Sequence, residues 1–169
     1  AGAHLSDIVW IKPHAETPDK RYVMIYSRFG DGCKYYVRFS ADGIHWGDEI
    51  APGSDCGDRS TAFYNPFRKM WVLSPRHGWG RPRYRRYWEL ADLEKGPWYN
   101  NKEKRAPYWM RADRLDAPHP HFQLPAQLYN LDAVPYESLM LGTLSIWQGD
   151  YDEDEGPLRT EQGVRHKSH

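Results

Sequence analysis

The feature that most constrains this chain is a plan that recurs three times along it. An aspartate stands at the head of a short strand-like run, a turn follows, and a longer apolar run comes next. The openings are Asp7 in "HLSDIVWIK", Asp58 in "GDRSTAFYNPFRKMWVLSPR" and Asp132 in "YNLDAVPYESLMLGTLSIWQG". They lie 51 and 74 residues apart. Self-similar units of roughly this length are small supersecondary blocks that bury their faces against one another.

Inside each unit the period is that of strands. "KYYVRFS" alternates, with Tyr35, Val37 and Phe39 on one side and Tyr36, Arg38 and Ser40 on the other. "RYVMIYSR" is nearly continuous in apolar residues, as a strand buried on both faces would be. Asp42-Gly43 is a hairpin signal, because glycine accepts positive φ and aspartate tolerates it. Strands are expected near 7–12, 21–28, 34–40, 45–50, 60–65, 69–75, 83–90, 131–137 and 139–147. The stretch 7–50 then reads as a four-stranded antiparallel meander.

The expected class is all-β. Four-stranded units of this kind are the blades of a β-propeller, here over about 5–50, 57–99 and 128–150, with an irregular insert at 100–125. A β-sandwich is the competing architecture, since it too has short strands and regular turns. Residues 1–150 form the domain in this reading, and the charged stretch 151–169 is a polar, mobile tail. Two blades and a half do not close a ring and leave sheet edges unpaired, so the reading expects part of a longer protein.

Charge excludes one large class of partner. The 23 basic side chains are balanced by 23 acidic ones, which argues against a nucleic-acid backbone. No apolar window of about 18 residues exists to span a membrane, and no signal peptide is visible. Aromatics reach 15%, which suits strand faces and also the apolar faces of pyranoses. The two cysteines, Cys33 and Cys56, show no Cys-x-x-Cys spacing and are expected as free thiols.

Other runs carry less. "DRLDAPHPH" offers Asp113, Asp116, His119 and His121, but prolines interrupt the spacing and no metal site is expected. "RPRYRRYWE" mixes cations with aromatics, and at neutral net charge it reads as an outer strand or an anionic-sugar subsite. No Gly-rich phosphate loop, GxSxG elbow or HExxH stretch is present, and no cofactor is expected.

"SADGIHW" resembles the S-x-DG-hydrophobic-x-W hairpin of the five-bladed propeller glycoside hydrolases, the levanase/invertase and arabinanase superfamily. The blocks from Gly57 to Arg76 and from Leu128 to Asp150 resemble those of glycosyl-hydrolase-like bacterial propeller proteins. The resemblance covers about residues 5–150 and implies a central pocket lined by innermost strands, where carboxylates surround a glycosidic bond. It implies Asp7 as base or nucleophile, Asp58 as the residue that stabilises developing positive charge, and Glu137 in "PYES" as proton donor. Arg59, Asp132, Trp46 and Arg76 complete a substrate-binding set. The Asn-Asp-Pro-Asn and Arg-Asp-Pro signatures of the invertase group are absent. A carbohydrate partner follows from the resemblance, and so does an extracellular or periplasmic setting for polysaccharide degradation. The same carboxylates have structural roles open to them: turn caps for Asp7 and Asp132, an ion pair for Asp58. The rival function is a module that binds sugar without cleaving it.

Overall fold

The structure is a computed structural model that describes residues 4–11, 17–30, 32–50, 54–78, 82–99, 105–118 and 125–148, the first of these as backbone only. It is all-β, built from several small antiparallel sheets, with one 3₁₀ turn among the described residues, at Pro18–Lys20. Strands β1 (His4–Ile11), β2 (Tyr22–Gly30) and β3 (Gly32–Ser40) form the first sheet in that order. The second holds β4 (Thr61–Asn65), β5 (Met70–Ser74) and β8 (Trp88–Leu90). The third holds β6 (Arg76–His77), β7 (Tyr84–Arg86) and β9 (Tyr108–Arg111). A hairpin of β10 (Gln127–Tyr136) and β11 (Leu139–Trp147) is the fourth. Strand β4 contacts both β1 and β10, so the three strands that open the sequence units are neighbours in space.

The core lies between the first two sheets. Val23, Ile25, Tyr35 and Val37 pack with Ala62, Trp71, Leu73 and Leu90, and Leu93, Tyr99 and Ala106 close the cluster. Alternation along β2 and β3 supplies these side chains, as the period of two requires. Truncating Trp71 to alanine would cost about 3–5 kcal/mol as a cavity. The β10–β11 hairpin is different. Val134, Tyr136, Leu139, Leu141 and Leu144 are exposed on it.

Three expectations need correction. Residues 45–50 do not form a strand; Ile50 makes one bridge to Val37, and Gly47 N donates to Phe39 O at 2.9 Å. The reason is the Asp42 side chain. Its Oδ1 accepts from the backbone N–H groups of Ile44 and His45, each at 2.8 Å, while Ser40 Oγ accepts from Gly43 N. These local bonds make a wide loop in place of a two-residue hairpin. Gly43 still takes the positive φ expected of it, 78°. Glu49 returns the loop to the sheet through Arg28 at 2.8 Å and the Tyr26 hydroxyl.

The single strand expected at 83–90 is two strands in two sheets. The chain changes sheets at Tyr87, whose N–H donates to Pro107 O at 3.0 Å. The acceptor belongs to the stretch read as an irregular insert, and that stretch supplies strand β9, which pairs with β7. The third correction is at β10, which begins at Gln127, several residues before the expected start. The 151–169 stretch lies outside the described residues.

Candidate functional site

Asp58 and Arg59 sit in the turn that leads into β4, and Asp132 sits on the adjacent β10. The two strands are stitched together here by Thr61 Oγ1, which donates to Leu131 O at 2.8 Å. Asp58 is held by Arg76: Nη2 donates to Oδ1, and Nε donates to the Asp58 carbonyl at 3.0 Å. Arg76 is only 3% exposed and Asp58 about 30%, so a buried cation presents a partly open carboxylate.

Beneath this pair lies Arg85, fully buried on β7. Its Nη1 donates to Arg59 O at 2.6 Å and Ser74 O at 3.2 Å, and Nη2 donates to Tyr129 O at 2.7 Å. One guanidinium thus ties together the entry to β4, the end of β5 and β10. Burial drives its pKa down to about 10, against the opposing pull of Tyr35, Asp132 and Asp58. Its Nε has no hydrogen-bond partner.

Beside the clamp the half-buried Tyr129 ring lies 5.2 Å from the buried Trp147 ring, and cations flank both. The guanidinium groups of Arg59 and Arg83 each lie 5.5 Å from the Tyr129 centroid, and Arg83 also lies 5.4 Å from that of Trp147. Arg83 is steadied by Gln127, whose Oε1 accepts from its Nη1 at 3.0 Å. Arg59 is exposed and has a left-handed backbone, φ 58°. Asp132 is exposed, and Asn130 Nδ2 donates to its Oδ2 at 2.6 Å. We call this cluster of side chains the mouth.

The structure therefore joins Asp58 to Arg76, sets Arg59 against Tyr129 of β10, and carries Asp132 on that same strand beside β4. Asp7 lies on β1 opposite Tyr26, on the strand that neighbours β4. Trp46 is half-buried in the loop after β3 and makes no hydrogen bond or ring contact with the mouth among the described residues. Glu137 is placed elsewhere. It is exposed, with φ 51°, in the tight turn between β10 and β11. Four residues of strand at about 3.3 Å each put the end of β10 about 13 Å beyond Asp132, and Glu137 follows it in the turn. Exposed there, it is not desolvated as a proton donor would be. Instead it lines a separate cleft of about 530 Å³ with Phe67, Arg68, Tyr87, Glu89 and Met140. In that cleft Arg68 Nε and the Tyr87 hydroxyl both donate to Glu89 Oε1, at 2.7 and 2.6 Å.

Sequence reading missed Arg85, Tyr129 and Trp147 as members of the mouth. The run "RPRYRRYWE" did carry a signal, since alternate arginines on a strand place Arg83 and Arg85 on one side. Among the described residues no group of histidine, cysteine and carboxylates has the arrangement to hold a metal ion. No helix of the described residues is long and apolar enough to cross a membrane. Comparison with family models, curated proteins and solved structures finds no match.

Proposed function

We propose that the protein acts on a poly- or oligosaccharide held at the mouth, as a glycoside hydrolase with carboxylates drawn from adjacent strands. The observation that carries the reading is the packing of the Asp58–Arg76 pair, the exposed Arg59 and the half-buried Tyr129 about the Arg85 clamp. The half-buried Tyr129 ring accepts the apolar face of a pyranose, and fixed guanidinium and carboxylate groups hydrogen-bond its hydroxyls. Asp132 binds the sugar. Asp7, from β1, is the base or nucleophile, and Asp58, fixed by Arg76, stabilises positive charge as it develops at the anomeric carbon.

A second reading, binding without cleavage, is favoured by one observation. Glu137, the expected proton donor, is exposed in the β10–β11 turn and lines a separate cleft, which leaves the described residues of the mouth without the second catalytic carboxylate that a glycosidase pairs with its base or nucleophile. Reducing-end release from a panel of polysaccharides separates the two. For hydrolysis, Asp7→Asn should lower kcat by about 10²-fold or more, while Asp132→Asn should chiefly raise KM. Glycan binding with no reducing ends released by the unaltered protein selects the binding module. Absence of any glycan binding rejects both.

A further inference from the structure

The mouth has more fixed cationic character than a neutral sugar needs. Arg85 is fully buried, and among the described residues its donors meet the carbonyl oxygens of Arg59, Ser74 and Tyr129. A buried charge is ordinarily matched by an anion, because neutral dipoles replace only part of its lost hydration. Of the carboxylates near it, Asp58 is already engaged by Arg76. Asp132 is exposed and is hydrogen-bonded by Asn130. Above the clamp stands Arg59, exposed, its guanidinium over the Tyr129 ring and its carbonyl pinned by Arg85. Arg59 also adopts a backbone conformation that non-glycine residues seldom take, and such residues cluster where binding geometry is fixed in advance. Arg83 flanks the same ring.

We infer that the sugar unit recognised at the mouth is anionic, a hexuronate of an acidic polysaccharide, with its carboxylate received by Arg59. The inference rests on the glycan reading above and narrows its substrate class. A guanidinium presents a planar fork that matches a carboxylate with two parallel hydrogen bonds, and a pyranose held against the open part of the half-buried Tyr129 ring brings the carboxylate on its ring carbon to Arg59, whose guanidinium lies 5.5 Å from that ring's centroid. The buried charge of Arg85 adds a field of the same sign with little screening by water. The carboxylates at the mouth meet hydroxyls, and the arginines meet the acid.

The test is calorimetric titration of the whole chain with three oligosaccharides of equal length: an oligogalacturonate, a sulfated neutral oligomer and the unmodified neutral oligomer. The oligogalacturonate should bind about tenfold more tightly than the neutral oligomer, as one charge-assisted pair contributes, and added salt should erode the difference. Arg59→Asn, which suits the left-handed backbone, should abolish the preference, and Arg59→Lys should restore only part of it. Stronger binding of the sulfated oligomer would assign the anion as a sulfate ester and overturn the hexuronate. Equal binding of neutral and acidic oligomers, or a preference that survives Arg59→Asn, overturns the inference and leaves the glycan reading standing. Failure of all three to bind overturns both.

Discussion

Arg76 and Asp58 are joined twice, side chain to side chain and side chain to backbone, with Gly57 pressed against the guanidinium. A Cβ on Gly57 would meet Arg76 Nε at 2.6 Å and Cζ at 2.7 Å. The glycine is there for space. Its removal forces a buried, doubly anchored side chain to move.

The first prediction follows from this pair. Asp58→Ala leaves Arg76 buried without its anion and should cost about 3 kcal/mol in urea unfolding. Gly57→Ala should cost about 1–3 kcal/mol by overpacking. Loss below about 0.5 kcal/mol in both variants would show that the pair does not hold the turn.

His45 should titrate above its ordinary value. Its Nδ1 lies 2.7 Å from Asp42 Oδ2, and that contact raises it, while the same contact and two backbone N–H groups hold Asp42 well below the usual carboxylate range. A raised folded pKa means a contribution present at pH below about 6.5 and lost as pH rises through the folded value. NMR titration should show Asp42→Asn moving His45 down. No movement would separate the two residues.

His77 should remain neutral well into the acid range. Burial pushes it down to about 4, aided by Arg86 and Arg76 and opposed by Asp55. Because the unfolded side chain takes up its proton near 6.5, stability should be full above that pH and decline as pH falls towards 4. His77→Gln should flatten that part of the stability profile; an unchanged slope contradicts the account.

Cys33 and Cys56 should be reduced thiols of unequal reactivity. They are free, buried and 3.6 Å apart, sulfur to sulfur. Their mutual hydrogen bond lowers Cys33, whereas burial pushes Cys56 up. Under denaturing, non-reducing conditions both should titrate, and in the folded protein iodoacetamide should reach Cys33 first. Absence of free sulfhydryl, or faster labelling of Cys56, would contradict this.

How much of this was written in the sequence depends on the range of the interaction. Alternation in "KYYVRFS" and the apolar "RYVMIYSR" placed β3 and β2 correctly, because local period is a property of the strand itself. The Asp42 loop was misread because a side chain competing for backbone N–H groups leaves the dipeptide signal unchanged. Asp58 and Arg76 were named and are joined, with Arg59 next to Asp58 in the same turn and Asp132 on the adjacent β10. The Arg85 clamp was not named, since it spans Arg59 to Tyr129, partners far apart in sequence. Glu137 was placed inside a strand when it forms the turn; Glu-Ser is not a turn pair that sequence alone announces.

The central claim is that sugar is bound at the mouth. Its most direct measurement is backbone and side-chain NMR of the labelled chain during titration with an oligosaccharide. The account predicts shifts confined to Arg59, Tyr129, Asp132 and the Trp147 indole, with Phe67, Glu89 and Glu137 unmoved. Shifts centred on the Glu137 cleft, with the mouth silent, would contradict it.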